Sequence, residues 1–388
     1  MHLIEVSNKK EERDFYSIPD IIYKNDPNWI SHLDVDVKAV FNPLKNKNFL
    51  NGVASRWILK NTQGELIGRI AAFIDKELAY TYEYPTGGMG FFECINDNEA
   101  AFLLFDIARK WLQEHGMKAM EGPVNFGEKD RFWGLMVEGQ NVPPPYLINY
   151  NPLYYKDFFE AYGFKNYYEQ YIYSTNKYTP VPPLIERIYE RLTKNNDYEF
   201  ININIKEIDR FADDFMFVYN KAWGDVHKNF NPLTKEQALD IFRSMKDVID
   251  EDIIIFAYHK GNPIAFFVNI PELNQIFRHL KGKLNLWGKL KFLYYKKKKT
   301  CNTIYGLVFG IIPEYRNKGI ESGLIISVRE RILRKNTYTN AYLAWIGDFN
   351  PKMIKITELF TKDKAFTLVT YLKLFDDTLA FKRHPVIE

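Results

Sequence analysis

Cysteine is almost absent from this chain of 388 residues: Cys94 and Cys301 are the only two. They stand far apart, in no disulfide or metal-binding spacing. That excludes a disulfide framework and fits a reducing, cytoplasmic compartment. Histidine is scarce as well, seven in all, with no HxxxH or HExxH pair. No protein-built metal centre is therefore expected. No run approaches about 20 consecutive apolar residues, so no membrane span is expected. The opening residues, MHLIEVSNKKEERDF, lack the apolar core of a secretory leader.

Acidic residues are missing from one long stretch. None lies between Glu272 and Glu314, whereas Arg278, Lys281, Lys283, Lys289, Lys291 and Lys296 to Lys299 all fall there. The whole chain carries only +3, so everything outside this stretch is net negative. The total hides a local basic block. Within it, LNLWGKLKFLYYKKKK interleaves apolar residues with lysines. This composition suits a short amphipathic element and contact with an anionic membrane surface or RNA through residues 278–299, against the alternative of a solvated basic loop.

What is present is ordinary for a globular protein, with 46% hydrophobic and 26% charged residues, and the length suggests two domains. Residues 176–183, NKYTPVPP, have three prolines and no periodicity, which reads as a linker between domains at 1–175 and 184–388. Similar things happen on either side in the same order. VASRWILK, the turn NTQGE and LIGRIAAFI form one hairpin; DIIIFAYHK, GN and PIAFFVNI form another. Each is followed by a strand, an amphipathic helix and a further strand. GMGFFEC, NEAAFLLFDIARKWLQEHG and AMEGPVN come first, then TIYGLVFGII, ESGLIISVRERILRK and AYLAWIG. Asn151-Pro152 and Asn350-Pro351 both read as capped helix starts. Aromatic-rich strands, FKNYYEQYIY and KAFTLVTYLKLF, end both halves. Two α/β units with one order of elements are the simplest account.

The turn "PEYRNKGIE", between a buried strand and a helix, is the sharpest chemical signal. A helix N-terminus leaves N–H groups unpaired and carries partial positive charge. Gly319 permits a backbone that strains other residues, and Arg316 and Lys318 add full charge. Such a turn is built to hold a pyrophosphate; a solvated surface turn is the plain alternative. The first half reads CINDNEAAF at the matching point, where Asp97 and Glu99 would repel a diphosphate.

Arg316, Gly319 and the preceding Pro313-Glu314-Tyr315 resemble the cofactor motif of the GNAT superfamily of N-acetyltransferases. Its pattern is strand, Arg/Gln-x-x-Gly-x-Gly/Ala, helix. Glu321 departs from it, standing where Gly or Ala is usual. The order of elements in each half is also similar to GNAT domains, and the whole chain resembles two-domain GNAT-like proteins of bacteria. The resemblance implies an α/β protein with a tandem duplication of the acyl-CoA N-acyltransferase fold, having mixed central sheets flanked by helices. The first domain would lack the phosphate loop and the second would carry it.

The resemblance further implies an acyl-CoA cosubstrate, acetyl-CoA first among them, and no metal. Gly310 and Ile311 would run beside its pantetheine arm. Arg316, Asn317, Lys318, Gly319, Ile320 and Glu321 would hold its diphosphate, with Asn350 as a further contact. The acceptor would be a small-molecule or peptide amine near the domain interface. Acid and base are weakly marked: the helix PKMIKITELF lacks the usual tyrosine, which leaves Tyr305 and Asp348 as catalytic candidates. Glu93 and Glu121 in the first half are carboxylates among apolar residues, each able to face the interdomain cleft. Two rival readings stand beside the N-acyltransferase. One is a GNAT-fold binding protein without turnover. The other is a Fem-like aminoacyltransferase using aminoacyl-tRNA, which the basic stretch favours.

Overall fold

A computed structural model describes residues 1–224 and 231–387. The first half runs β1 (His2–Glu5), α1 (Lys9–Ile22), α2 (Asp34–Val40), β2 (Gly52–Lys60), β3 (Leu66–Asp75) and α3 (Lys76–Ala79). It continues with β4 (Thr86–Cys94), α4 (Asn98–Glu114), β5 (Ala119–Gly122), β6 (Leu135–Glu138), α5 (Tyr155–Tyr162) and β7 (Lys165–Asn176). The second half has α6 (Pro183–Thr193), β8 (Tyr198–Asn202), α7 (Ile208–Gly224), α8 (Lys235–Met245), β9 (Ile255–His259), β10 (Asn262–Pro271) and α9 (Asn274–Phe277). Then come α10 (Leu286–Lys297), β11 (Thr303–Ile311), α11 (Ile320–Lys335), β12 (Asn340–Tyr342), β13 (Ile346–Gly347), α12 (Pro351–Glu358) and β14 (Lys364–Leu374).

Local chemistry explains several boundaries. Asn8 and Glu11 form a reciprocal capping box that starts α1. Asp97 caps α4, whose Ala101, Leu104, Phe105, Ala108 and Leu112 are buried as their spacing requires. Asn350 caps α12 by accepting from the Met353 N–H at 3.1 Å. Asn151 behaves differently from its counterpart. α5 starts four residues later, and the Asn151 side chain is buried in a two-way bridge to the backbone of Met136, at 2.8 and 3.0 Å.

All the strands join one mixed sheet, in the order β1-β2-β3-β4-β5-β14-β7-β12-β11-β10-β9-β8. Parallel pairing occurs at β4–β5 and β11–β12, and the neighbours either side are antiparallel. Its centre is an exchange. β14, the last strand of the chain, lies between β5 and β7, while β7 of the first half lies against β12 of the second. Each half thus completes its sheet with a strand that the other also uses. The main core follows the exchange: Ile172 of β7 and Phe366 and Leu368 of β14 pack with the second-half residues Phe256, Phe266 and Leu324. The aromatic run around β7 is largely sheet packing, with Tyr168 and Tyr173 buried.

Both halves fork where two parallel strands part. β4 and β5 pair from Thr86–Ala119 to Gly88–Glu121, and β11 and β12 from Thr303–Asn340 to Tyr305–Tyr342. Beyond Tyr305–Tyr342 the second-half strands separate; in the first half one more hydrogen bond, from the Val124 N–H to the Met89 carbonyl at 2.8 Å, precedes the fork. The forks position the candidate sites.

Candidate active site

In the second half, β11 continues to Ile311 with β10 along one edge, Gly310 opposite Phe266 and Ile311 opposite Ala265. Its pairing to β12 stops at Tyr305, so the other backbone edge from Gly306 to Ile311 faces the fork. Gly310 has no room for a side chain: a Cβ there would sit 2.9 Å from both the Phe266 and Trp223 rings. The strand leads into a short 3₁₀ turn at Pro313–Tyr315 and then the basic turn. Asn317 (φ 61°) and Gly319 (φ 85°) both take left-handed backbone conformations. Gly319 stands at the N-cap of α11 without a side-chain cap, which leaves the N–H groups of Ile320 and Glu321 at an open helix end.

Neighbours fix this turn. The Arg316 guanidinium donates to the carbonyl oxygen of Ala222 at 2.9 Å, near the end of α7. The Tyr315 hydroxyl and His259 Nδ1 are 2.7 Å apart, and the Lys318 ammonium lies over the Tyr315 ring. A Cβ on Gly319 would fall 2.3 Å from Ile188 Cγ2 of α6. Glu321 is half-buried and makes no hydrogen bond or ion pair with the described residues. The turn meets the demands of a diphosphate: an open helix N-terminus, positive-φ backbone and cations, with one carboxylate opposing.

The structure does not bring the two catalytic candidates together. Tyr305 is buried at the base of the fork, and burial, with the charges of Asp130 and Glu272, pushes its phenol up, so it stays protonated. Asp348 follows β13, where its N–H donates to Glu169 O and its carboxylate holds Arg383 at 2.6 Å. Tyr342 is paired with Ser174, so Asp348 stands roughly 16 Å further along β7. Asn350 lies just beyond it, with its side chain occupied in capping α12.

The first-half fork holds what sequence reasoning had only flagged. A cavity of about 680 Å³ opens there, lined by α1, the end of β4, Pro123 and the segment around Asn149–Asn151. Glu93 Oε2 accepts hydrogen bonds from Tyr23 (2.7 Å) and Tyr155 (3.0 Å), and Oε1 lies 3.5 Å from the Arg69 guanidinium. Burial raises the Glu93 carboxyl and lowers the Arg69 guanidinium, each partly offset by the other. The phenols of Tyr23 and Tyr155 are pushed well up by burial and by Glu93, so both are donors. His32 lines the same cavity with its Nδ1 unpartnered, and burial lowers its imidazole to about 4. Glu121 is elsewhere, hydrogen-bonded by Tyr82 with its second oxygen unpartnered.

The basic stretch reaches this cavity. Lys281 and Lys283 stand on its rim, and Gly282 O accepts from Asp34 N at 2.8 Å. The two forks meet across residues 127–132. Phe132 lines the cavity beside His32, while the Lys129 carbonyl accepts from Trp345 Nε1 at 3.1 Å on the second-half side. Among the described residues no group of His, Cys, Asp or Glu is arranged to hold a metal ion. No helix among them is long and apolar enough to cross a membrane.

One mixed sheet with two forks, each formed by a strand–turn–helix–strand unit and joined through the exchanged strands, gives this chain a tandem GNAT-like fold. No family model matches it. It is 24% identical to the bacterial ceramide synthase of Caulobacter vibrioides over 363 residues, 92% of this chain and 93% of that protein. Protein YghO of Escherichia coli is also 24% identical over 359 residues, 90% of each chain. A solved tandem GNAT protein from the clavulanic acid biosynthesis pathway superposes with a TM-score of 0.54 at 10% identity, over 97% of this chain and 99% of that one. A GCN5-related glucosamine N-acetyltransferase region in a fungal multi-domain β-N-acetylglucosaminidase gives a TM-score of 0.53 at 12% identity. The match spans 96% of this chain but only 38% of that longer one.

Proposed function

We propose that this chain is an acyl-CoA-dependent N-acyltransferase, with the cosubstrate on the second half and an amine acceptor approaching between the halves. The observation that carries the reading is the unpaired edge of β11 from Gly306 to Ile311, running straight into the open, basic helix N-terminus at Arg316–Glu321. In this reading the turn binds the diphosphate, and β11 backbone groups orient the thioester that supplies the acyl group. The acceptor nitrogen must lose a proton as the new C–N bond forms, and the leaving sulfur must gain one as the C–S bond breaks. Tyr305, held protonated by burial, suits the proton donor. Asp348, engaged with Arg383, suits a structural ion pair. Acetyl is the acyl group that the GNAT resemblance suggests; the diphosphate that the turn would hold is common to every acyl-CoA. The relative named as a ceramide synthase favours instead a long acyl chain and the amine of a long-chain amino alcohol, since a ceramide is the amide of such a base.

A second reading rests on Glu93. A carboxyl raised by burial, tied to two protonated tyrosines and open to a cavity, has the properties of a general base with Tyr155 as its donor. In this version the first half deprotonates the amine and the second half anchors CoA.

Calorimetric titration with CoA, paired with thiol release from acetyl- and palmitoyl-CoA in the presence of amino acids, polyamines or a long-chain amino alcohol, tests both. Arg316→Glu is expected to weaken CoA more than tenfold, the loss of one or two charge-assisted contacts. Charge reversal at Lys110, exposed on the first half, is expected to leave affinity unchanged. Absence of CoA binding, or equal losses in both variants, overturns the assignment. Glu93→Gln with unchanged CoA affinity and abolished turnover selects the second reading; full turnover rejects it.

A further inference from the structure

The basic stretch folds into something more specific than a charged loop. Its second part is α10, capped by Asn285, whose side chain accepts from the Gly288 N–H at 3.0 Å. One face of this helix packs down. Gly288 is buried, where a Cβ would strike the Lys283 carbonyl at 2.1 Å. Tyr295 stacks on His279 with centroids 4.0 Å apart, and Phe292 lies against Phe277. The opposite face carries Leu286, Trp287, Leu290, Leu293 and Tyr294, which remain 73%, 73%, 50%, 58% and 52% exposed. At about 100° per residue these five fall within one stripe roughly 120° wide, with Lys289 on one flank and Lys291 on the other. Other exposed apolar side chains, such as Leu44 and Leu50, belong to no such helical stripe. A contiguous apolar strip of this size on a surface helix requires a partner.

The charge around the strip identifies the partner's chemistry. Lys281, Lys283, Lys289, Lys291 and Lys296 to Lys299 surround it without one carboxylate in the segment. Lys296 points to the Asp247 carbonyl and Lys298 lies over the Tyr294 ring, and neither position neutralises a charge. Leucines and tryptophan between lysines match the boundary of an anionic bilayer, where side chains enter the acyl region while ammonium groups stay at the phosphates. RNA offers phosphates for the lysines but nothing for a leucine stripe.

We infer that α10 is a monotopic docking helix for an anionic bilayer. The Lys281-Gly282-Lys283 segment ahead of it forms part of the first-half cavity rim, so docking holds that cavity mouth at the lipid surface. α10 begins three residues after Lys283, within about 10 Å of the rim. An amphiphile can then pass from the bilayer into the cavity without crossing water. The inference stands on the surface alone and does not depend on acyl transfer.

Flotation of the full chain with phosphatidylglycerol or phosphatidylcholine vesicles tests it, using two variants. One combines Trp287→Ser, Leu290→Ser and Leu293→Ser; the other replaces Lys296 to Lys299 with Ser. All these side chains are exposed, so circular dichroism and melting temperature are expected to match the wild type, which is the control for folding. The expected result is binding to phosphatidylglycerol at low salt, at least tenfold weaker on phosphatidylcholine, and largely lost near 0.5 M salt, where the screening length is only about 4 Å. Each variant is expected to lose roughly a hundredfold or more. A blue shift of tryptophan fluorescence on vesicles, absent in Trp287→Phe, marks insertion. No vesicle binding at low salt overturns the inference. So does binding that the apolar variant retains in full, or poly(U) RNA binding without vesicle binding.

Discussion

Apart from the added α6 and α10, the two halves run the same order of strands and helices, yet their forks present opposite things. Beyond the last β4–β5 pair, the first half encloses Arg69, Glu93, Tyr23, Tyr155 and His32 around a cavity. Beyond the last β11–β12 pair, the second half keeps its strand edge open and presents a basic, uncapped helix N-terminus. At the same topological point the first half places Asp97, whose side chain caps α4 by accepting from the Ala100 N–H at 3.2 Å. One carboxylate therefore decides whether a helix end is closed by its own chain or left open for an anion. A duplicated frame has thus divided its polar work: buried titratable groups on one side, an anion-ready turn on the other.

The largest expected effect lies in the first half. Arg69→Ala leaves Glu93 buried without its cation and removes the donor to the Phe15 carbonyl, 3.0 Å away. We expect a loss of about 3–5 kcal/mol in denaturant unfolding. A loss below about 1 kcal/mol would mean the cluster is hydrated and the contrast between the forks is weak.

Next comes a pair of opposed pH effects. His32, lowered in the fold to about 4, stays neutral where the unfolded chain takes up a proton. Its contribution is therefore lost as pH falls from about 6.5 to 4. Glu272, raised by burial to about 7, takes up its proton before the unfolded chain does. Its contribution is present below about pH 4.5 and lost as pH rises through 7. Each is worth on the order of 3 kcal/mol, so the two offset each other between pH 4.5 and 6.5. Glu272→Gln keeps an acceptor for the Tyr146 and Asn274 N–H groups and should unmask the acid destabilisation due to His32. If the wild type and this variant show the same stability–pH curve, Glu272 does not titrate as its burial implies.

Gly319→Ala comes third. Its φ of 85° and the 2.3 Å approach to Ile188 predict a loss of about 2 kcal/mol in thermal unfolding. CoA affinity should fall with it. Alanine at the N-cap of α4, Asp97→Ala, should cost about 1 kcal/mol and leave CoA untouched. If both substitutions act alike on CoA, the division of labour between the forks fails.

The smallest effect concerns Glu321. Its carboxylate has no partner among the described residues and opposes a phosphate at the same helix end. Glu321→Gln should tighten CoA about two- to fivefold, more at low ionic strength than at high. Titrations that coincide at both salt concentrations would place the carboxylate away from the diphosphate.

Much of the fold was legible because periodicity and turn chemistry are local. Trp57 and Phe256 sit in matching hairpins; the stripe on α4, the cap at Asn350 and the glycine of the basic turn follow from nearest neighbours along the chain. Asn151 was misread as a cap because its partner, Met136, is reached only through folding. Tyr305 and Asp348 were separate candidates because both lie in or beside recognisable strand segments; only the tertiary structure shows that β13, paired to β7, carries Asp348 away from Tyr305. His32 gave no signal at all, since a lone histidine in a loop acquires meaning only once Phe132 and Arg69 surround it.

By itself the sequence determined what short-range forces control: which segments are strands or helices, that they occur twice in one order, where glycine must take a left-handed turn, and that residues 278–299 carry unopposed positive charge. Only the tertiary structure decided what alternation leaves open. A strand pattern states which side chains share a face but not which strand lies alongside, so the exchange of β7 and β14 could not be read from either strand. Burial likewise depends on everything that packs around a group. Glu93 lies in a strand among apolar neighbours, as Glu121 does; burial raises both carboxyls, but at Glu93 the cation of Arg69 and two tyrosines from elements up to 70 residues away oppose that shift. The stripe on α10 was written in the chain as leucines between lysines, but whether it faced the core or solvent was settled by which opposite face Gly288, Phe292 and Tyr295 could bury.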